Sequence, residues 1–425
     1  MTGRKELRLN SVCYDICIIG AGASGLVAAI ESSRRGLSCV VVDKNKKPGM
    51  KLYATGNGRC NLTNDDWEED TYYENEFVDK VYDTLYKLSG KRQRSFVLDY
   101  FKSLGVQTVS KNGYYYPASM QASTVVWALT DTAKNLGVTF RLKTKAEYIE
   151  RIENYYSINV SMKVDDEIIT DKIYARNVII ATGGLSSPKL GAIDSSSVYS
   201  LYDSIGVPYN SFSSGLTSVK TIEDMSNLAG VRTQARISIK GHTELGELQI
   251  TDYGFSGIVT FNMSYYMKPG DKITVNLMPK KSENDFAAEF NDIKSRFPER
   301  RLDLLLNGYI NDKLSDYFIQ KFYGNPEMKL CLKDITETGI RGLYQEITEW
   351  SVGIKAINDF DQSQASFGGI VVSILDPYSM EIDSDKTLGP GIFAIGEATD
   401  VLGKCGGYNL TYAFITGYLA GVSVE

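Results

Sequence analysis

Histidine is almost absent from this sequence, since His242 is the single example among 425 residues. Because imidazole is a common metal ligand and general base, this scarcity excludes His-rich metal sites and leaves imidazole catalysis to one side chain. His242 stands in the polar stretch 240–244, which we interpret as a surface turn between strands. We therefore expect no metal site, and we expect a cofactor to supply the chemistry.

Paired cysteines and long apolar runs are also lacking. The six cysteines are scattered without a CxxC pattern, which excludes a zinc ribbon or a thioredoxin-type dithiol and favours reduced thiols. The N-terminus has no apolar segment typical of a secretory signal. The uncharged runs 16–30 and 405–424 are too short or contain too many polar residues for a membrane span. These features predict a cytoplasmic protein with no membrane partner.

No excess of basic charge is present, because 46 Lys and Arg stand against 52 Asp and Glu. The formal net charge of -6 does not favour nucleic acid, and we expect no such partner. At about 150 residues per domain, the length predicts two or three domains.

A dinucleotide-binding pattern begins at Asp15. An apolar run leads into a turn that contains Gly20, Gly22 and Gly25, and helix-forming residues follow. In such strand–turn–helix units the glycines allow a tight turn, the approach of a pyrophosphate and close helix packing. Asp43 ends the next apolar strand, 23 positions after Gly20, where an acid can bind the ribose of FAD or NAD. A glycine-rich loop without a ligand is the alternative. The predicted contacts are Gly20, Gly22, Ala23, Ser24, Gly25, Asp43 and Lys44.

A second glycine cluster spans residues 49–64. It combines backbone freedom with cationic and amide side chains that can surround an anionic cofactor. A polar Ω-loop is an equally good interpretation of these residues taken alone. Cys60 follows Arg59 and could be a reactive thiol, although a buried packing role is favoured. The predicted contacts are Lys51, Thr55, Gly56, Asn57, Gly58, Arg59 and Asn61.

The rest of the chain divides into a central insertion and a returning α/β segment. Residues 139–180 predict a β-meander whose last strand closes on the sequence Ala-Thr-Gly-Gly at 181–184. Thr182 and Gly183 are predicted contacts, because such a strand end suits backbone that passes close to a bound dinucleotide; a simple strand-ending turn is the alternative. Residues 191–351 contain β-like pieces and then a charged helical section near 283–345, which predicts an inserted β-barrel-like part with a helical subdomain on the substrate side.

Near the C-terminus, a short strand ends in Gly396 and Glu397, and a glycine-opened helix follows. A carboxylate at a strand end can bind a polyol, and a helix N-terminus stabilises negative charge on a reduced flavin, so this pairing favours FAD over NAD. The predicted contacts in this segment are Gly396, Glu397, Gly407, Tyr408, Asn409 and Leu410.

Taken together, the motifs at 20–25, 49–64, 181–184, 246–257, 396–397 and 406–409 resemble the aminoacetone oxidase family of bacterial FAD-binding enzymes. The resemblance implies an α/β fold in which a Rossmann-like FAD-binding domain with a β-meander, residues 1–190 and 352–425, is interrupted by a β-barrel-like and a small helical domain. It also implies that Asp43 contacts the adenosine, that Ala146 passes the adenine, and that residues 55–61 and 407–410 lie near the isoalloxazine.

These features predict an FAD-dependent oxidoreductase that transfers a hydride between a small organic substrate and flavin N5, with oxygen, NADH or NADPH as redox partner. One alternative is an NAD(P)H-dependent reductase of carbon–carbon double bonds in steroid-like substrates. Another is a non-catalytic FAD-binding redox sensor. Candidate catalytic side chains are Cys60, Tyr408 and Tyr253, and the sequence specifies no oligomeric state.

The position of His242 outside every glycine cluster gives a first test. His242→Ala should leave the affinity for FAD unchanged, whereas Asp43→Ala should lower it, because only Asp43 stands in a predicted cofactor contact. Fluorescence titration of FAD-stripped protein with FAD measures both. Loss of flavin in the His242 variant, or unchanged affinity in the Asp43 variant, would contradict the placement of the cofactor.

Overall fold

The computed structural model describes residues 13–67, 71–164, 167–324 and 330–425. The chain divides into two compact units, Met1–Ser213 with Gln364–Glu425, and Ser214–Ser363. These divisions lie later than the expected positions 190 and 351. The helix at Ser195–Ile205 packs on the meander of the first unit, and the strand Trp350–Ile357 belongs to the barrel of the second.

Helices and strands are mixed along the whole described chain. Up to residue 215 they are β1 Cys13–Ile19, α1 Ala23–Arg34, β2 Cys39–Asp43, α2 Thr55–Gly58, β3 Thr63–Asn64, α3 Asn75–Ser89, α4 Gln93–Ser103, β4 Thr108–Lys111, β5 Tyr114–Pro117, α5 Ala122–Asn135, β6 Thr139–Leu142, β7 Thr144–Ile152, β8 Tyr155–Val164, β9 Glu167–Ile180, α6 Ser195–Ile205 and β10 Tyr209–Gly215. Beyond it they are β11 Val219–Thr221, β12 Arg232–Ile239, β13 His242–Ile250, β14 Gly254–Ser256, α7 Ile258–Met263, β15 Lys272–Asn276, α8 Glu283–Arg296, α9 Leu302–Leu306, α10 Asp312–Tyr323, α11 Glu337–Thr348, β16 Trp350–Ile357, β17 Ala365–Ile370, β18 Ile392–Ala394 and α12 Tyr408–Ser423.

The first unit is built on a sheet in which two parts of the long strand β9 pair with different neighbouring strands. The strand order is β6-β2-β1-β9-β8-β7, and β18 also pairs with β9. The first part of β9 runs antiparallel to β8, and its last part runs parallel to β1 and β18. Because parallel strands end at the same sheet edge, the turns after β1, β2, β9 and β18 meet there. This edge gathers the glycine turn, Asp43, Thr182 and Glu397.

Helix α1 is buried along most of its length between the sheet and α12. A methyl group at Gly25 would lie 2.0 Å from the carbonyl oxygen of Gly20, and one at Gly417 would lie 2.3 Å from that of Ser24. Neither position has room for a larger residue, because these contacts are with backbone atoms. The glycines therefore set how closely α1 approaches the sheet on one side and α12 on the other.

The second unit contains a closed barrel in the order β11-β14-β13-β12-β15-β16, with helices α8 to α11 in the same unit. Its core includes Trp350, whose ring packs edge-on against Phe255 and Phe318 with centroids 5.5 and 5.4 Å away. The predicted α/β fold with an inserted barrel and helical elements is confirmed. Within the described ranges, no helix is both long and apolar enough to cross a membrane.

Candidate flavin site

The three glycines in the turn between β1 and α1 differ in the space around their α-carbons. A methyl group at Gly20, where φ is +116°, would lie 2.1 Å from the carbonyl oxygen of Ala181. Gly20 and Gly25 are therefore required by packing of the protein itself. At Gly22, by contrast, a methyl group would meet no atom within 4 Å, and the backbone is extended, with φ of -84°. An open position at the start of a helix lets an anionic group approach the backbone N–H groups closely.

Asp43 at the end of β2 organises the neighbouring turns. Its carboxylate accepts hydrogen bonds from the backbone N–H groups of Ala21 and Asn45, both at 2.7 Å. Burial raises the pKa of Asp43, and these hydrogen bonds oppose the increase. Lys44 beside it donates to the carbonyl oxygen of Ala192. The structure brings five predicted contacts together around a cavity of about 50 Å³, namely Gly20, Asp43, Lys44, Ala146 and Thr182.

The loop that contains α2 presents exposed backbone in a left-handed conformation. Gly56 and Asn57 have φ of 57° and 55°, and Gly58 and Arg59 are also exposed. Thr55 donates its hydroxyl hydrogen to the carbonyl oxygen of Leu52 at 2.7 Å. Cys60, by contrast, is fully buried, and this burial raises the pKa of its thiol to about 12. A thiol in this state is a poor nucleophile, which favours the packing role.

Glu397 and Lys51 form an ion pair that connects four separate segments. The ammonium of Lys51 lies 2.6 Å from Oε2 of Glu397 and donates to the hydroxyl of Ser186 at 2.8 Å. Oε1 of Glu397 accepts from the backbone N–H of Ser366 at 2.7 Å and from the Ser186 hydroxyl at 3.1 Å. Burial alone would raise the pKa of Glu397, but the charge of Lys51 and these hydrogen bonds outweigh burial and lower it. The ion pair is thus present at neutral pH.

The start of α12 is a second place where backbone donors are available. Gly407 precedes the helix with φ of 94° and, as a glycine, has no side chain with which to cap the first turn. A methyl group on Gly407 would lie 3.2 Å from Cγ of Asn61. The buried side-chain oxygens of Asn61 and Asn64 have no hydrogen-bond partner among the described residues. Buried acceptors without a partner beside the backbone donors of a helix start are features of a polar ligand site.

The residues at this sheet edge fit a flavin dinucleotide. Gly22 leaves space at the first helix start for phosphates, Asp43 and Ala146 share the small cavity, and Glu397 offers a carboxylate at a strand end. The second helix start and the Asn61 amide supply donors and acceptors for a ring with N–H and carbonyl groups. Among the described residues, no group of three or more metal-ligating side chains accompanies them.

Several predicted side chains are engaged in other contacts. The side-chain amide of Asn409 exchanges two hydrogen bonds of 2.8 Å with the backbone of Gly403, so its role is to shape the loop. Tyr408 is buried, and its hydroxyl donates to the carbonyl oxygen of Asp66 at 2.6 Å. Tyr253 belongs to the second unit, where its hydroxyl donates to Ser218 Oγ at 3.3 Å.

Sequence reasoning missed part of the Glu397 network. Ser186 comes shortly after the predicted Thr182–Gly183 turn, so its position in the sequence was a signal that this serine lies near the site. Ser366 lies in β17, and nothing in the sequence distinguishes this serine from others, because its role depends on strand pairing with distant residues.

The chain is similar to several known proteins along nearly its whole length. The family described as HI0933-like protein Rossmann domain matches residues 14–423. The chain is 30% identical over 422 residues to a 3-dehydro-bile acid delta(4,6)-reductase of Clostridium scindens, covering 96% of this chain and 98% of that protein. It is 28% identical over 408 residues to a ribosomal RNA dihydrouridine synthase of Escherichia coli, covering 94% and 95%. Among solved structures, the 3-ketosteroid-delta4-(5alpha)-dehydrogenase of Rhodococcus jostii is 13% identical, with a TM-score of 0.49 and coverage of 100% and 99%.

The open space at Gly22 gives a test that separates ligand binding from folding. Gly22→Ala should leave the melting temperature of FAD-stripped protein nearly unchanged, because the backbone there suits any residue. It should weaken FAD binding at least tenfold, because the methyl group occupies the space for a phosphate. Gly20→Ala is the matched control and should destabilise the protein itself. Equal FAD affinity of wild type and Gly22→Ala would contradict the site.

The Lys51–Glu397 pair predicts a pH-dependent contribution to stability. Because the pKa of folded Glu397 lies below its ordinary 4.5, the pair stabilises the fold above pH 4.5 and this contribution is lost as pH falls toward the folded pKa. Glu397→Gln should lower the free energy of unfolding by about 2 kcal/mol at pH 7, since it leaves Lys51 partly buried without its counter-ion.

Urea unfolding of FAD-stripped protein at pH 7, pH 4 and pH 3 measures this contribution to the free energy of unfolding. Glu76→Gln, which removes an exposed i,i+4 pair with Lys80, is the control and should change little at either pH. If the free energies of unfolding of wild type and Glu397→Gln differ by the same amount from pH 7 down to pH 3, the lowered pKa of Glu397 is wrong.

Proposed function

This chain belongs to the HI0933-like Rossmann-domain family and is an FAD-dependent oxidoreductase, and we propose that it reduces a carbon–carbon double bond conjugated to a carbonyl group. The observation that carries the proposal is the uncapped start of α12 beside the unpaired amide oxygens of Asn61 and Asn64. Backbone donors there would stabilise negative charge on a reduced flavin and so favour its use as a hydride donor.

The names of two relatives support the same chemistry through different substrates. A delta(4,6)-reductase of a 3-dehydro-bile acid removes double bonds conjugated to a ketone, and a dihydrouridine synthase removes the uracil double bond conjugated to a ring carbonyl. The shared element is an electron-poor alkene that accepts a hydride at the carbon remote from the carbonyl. We take a steroid-like cyclic enone as the first substrate class.

The protein's part in this reaction is to position groups and to stabilise charge. Bound FAD supplies N5, which can give or accept a hydride. The Glu397 carboxylate would bind hydroxyl groups of the flavin side chain, and Lys51 would add positive charge nearby. The turn at Gly22 would hold the phosphates. NADH or NADPH is the proposed electron donor for this reduction. Oxygen, the other redox partner considered from the sequence, would accept electrons from the reduced flavin and so belongs to an oxidase reaction.

Uridine in RNA is a second candidate substrate. Two ribosomal RNA dihydrouridine synthases match 94% and 96% of this chain. This proposal runs against the expectation of no nucleic-acid partner, which rested on the net charge of -6. The narrower assignment to the aminoacetone oxidases and the cytoplasmic location both stay predictions.

An anaerobic reoxidation experiment tests the function and separates the two substrates. Protein loaded with FAD is titrated with dithionite to full reduction and mixed with 4-androstene-3,17-dione or with a uridine-containing RNA, while absorbance near 450 nm is followed. Return of the oxidised spectrum with the steroid, but not with its saturated analogue 5α-androstane-3,17-dione, supports the enone. Return only with RNA supports uridine. Failure with both contradicts the proposed reaction.

The electron donor is tested in the same apparatus. Anaerobic addition of NADH or NADPH to the oxidised holoprotein should bleach the flavin if a nicotinamide is the donor. Bleaching by neither, together with tight FAD binding and no reaction with an alkene, would favour the non-catalytic redox sensor.

A further inference from the structure

Two tyrosines of β5 lie between the glycine loops of the flavin site. Tyr114 and Tyr116 are two residues apart on one strand, so they share one face of the small sheet β3-β5-β4. A methyl group on Gly406 would lie 3.1 Å from Cε1 of Tyr114, and one on Gly56 would lie 3.4 Å from Cε1 of Tyr116. The two phenol rings thus reach the start of α12 and the α2 loop respectively.

The intervening residue shows that the two faces of β5 differ in their chemistry. Tyr115 points to the opposite face and donates its hydroxyl hydrogen to Oδ1 of Asp65 at 2.9 Å. Within the described part of the chain, the hydroxyl groups of Tyr114 and Tyr116 make no hydrogen bond to protein. Both side chains are partly buried. Their hydroxyl groups are therefore available to a ligand at the flavin site.

Both phenols are also in the protonated state that a donor requires. Burial raises the pKa of Tyr114, and the nearby Cys405, Tyr116 and Asp66 raise it further. Burial raises the pKa of Tyr116, although the charge of Arg59 opposes this. Each hydroxyl thus carries its proton at neutral pH.

Tyr114 is the better placed of the two to act on a reacting atom. A methyl group on Gly406 would lie 3.1 to 3.2 Å from atoms of Tyr114, Asn64 and Tyr408, so these side chains pack closely around the glycine. The Asn64 amide donates to the carbonyl oxygen of Gly406 at 2.6 Å. Asn64 is also the strand partner of Tyr114. These contacts hold the Tyr114 ring against the helix start, whereas the Tyr116 ring lies beside the exposed α2 loop. A proton donor acts efficiently only when it is held in position.

We infer that the β5 face formed by Tyr114 and Tyr116 is a wall of the substrate site and that the Tyr114 hydroxyl donates the proton that completes alkene reduction. The inference rests on the proposed function. Bound FAD, itself reduced by a nicotinamide, would supply a hydride to the β-carbon, and the π pair would shift toward the α-carbon and the carbonyl. The α-carbon takes the proton from Tyr114, and water reprotonates the phenolate. Tyr116 contributes aromatic surface for a flat substrate.

Two phenylalanine variants test this assignment, and one of them is a matched control on the same strand. Tyr114→Phe should bind FAD within threefold of wild type and should be reduced by dithionite normally. Its reoxidation by 4-androstene-3,17-dione should be slower by a factor of about 10² to 10⁴, the usual contribution of a positioned acid. Tyr115→Phe, altered on the other face, should behave as wild type in every assay.

Two readouts separate proton donation from a merely structural role. The dissociation constant of 4-androstene-3,17-dione for the oxidised holoprotein, measured calorimetrically, should change less than threefold in Tyr114→Phe but rise about tenfold in Tyr116→Ala. In D₂O, wild type should show a solvent isotope effect on reoxidation and place deuterium at the α-carbon on one face, and Tyr114→Phe should lose that facial selectivity.

The outcomes distinguish this inference from the proposed function. If wild type is reoxidised by the enone and Tyr114→Phe reacts at the same rate with the same facial selectivity, the inference is wrong while the function stands. If wild type itself is not reoxidised by any conjugated carbonyl compound, the function fails and the assignment of Tyr114 fails with it.

Discussion

The close contact between α1 and α12 is the constraint on which the flavin site depends. A methyl group at Gly421 would lie 2.8 Å from the carbonyl oxygen of Ala28, and one at Gly417 would be closer still to that of Ser24. The two helices come from opposite ends of the chain. Because they pack backbone to backbone, the start of α12 is held in a defined position relative to the glycine turn that opens α1.

The ion pair of Lys51 and Glu397 complements this contact with charge. It joins the loop after β2 to the end of β18, and through Ser186 and Ser366 it includes the turn after β9 and strand β17. Placing two charges in a partly buried position is favourable when hydrogen bonds satisfy most of their polar atoms. The Glu397 carboxylate accepts two hydrogen bonds at Oε1 and one from Lys51 at Oε2, so Oε2 can still accept from a ligand. The network therefore keeps polar groups at the sheet edge in one arrangement before a ligand binds.

Reactive side chains make a small contribution to this site. Cys60 is buried with a raised thiol pKa, Tyr408 donates to a backbone carbonyl, and the side-chain amide of Asn409 is held by Gly403. What the chain offers instead is uncapped helix starts, unpaired amide oxygens and two phenols on one strand face. Such a site suits a cofactor that carries the redox chemistry, while the protein orients it and manages the proton.

The amino-acid sequence by itself determined the local units of the first domain. Gly20, Gly22 and Gly25 between a strand and a helix, with Asp43 after the next strand, indicate a dinucleotide fold because their spacing reflects short-range backbone geometry. The second glycine loop and the Gly396–Glu397 strand end were also recognisable. That these three segments lie close together in the fold was predicted only through the resemblance to known flavoproteins.

Only the tertiary structure decided which side chains share the site. The partners Lys51 and Glu397 lie 346 residues apart, and Gly406 meets Tyr114 from across the chain. The tertiary structure also showed that Gly22 faces open space while Gly20 and Gly25 do not, although the three glycines look alike in the sequence. The physical reason is that strand order, helix contact and side-chain burial depend on long-range packing, which a local pattern of residues does not encode.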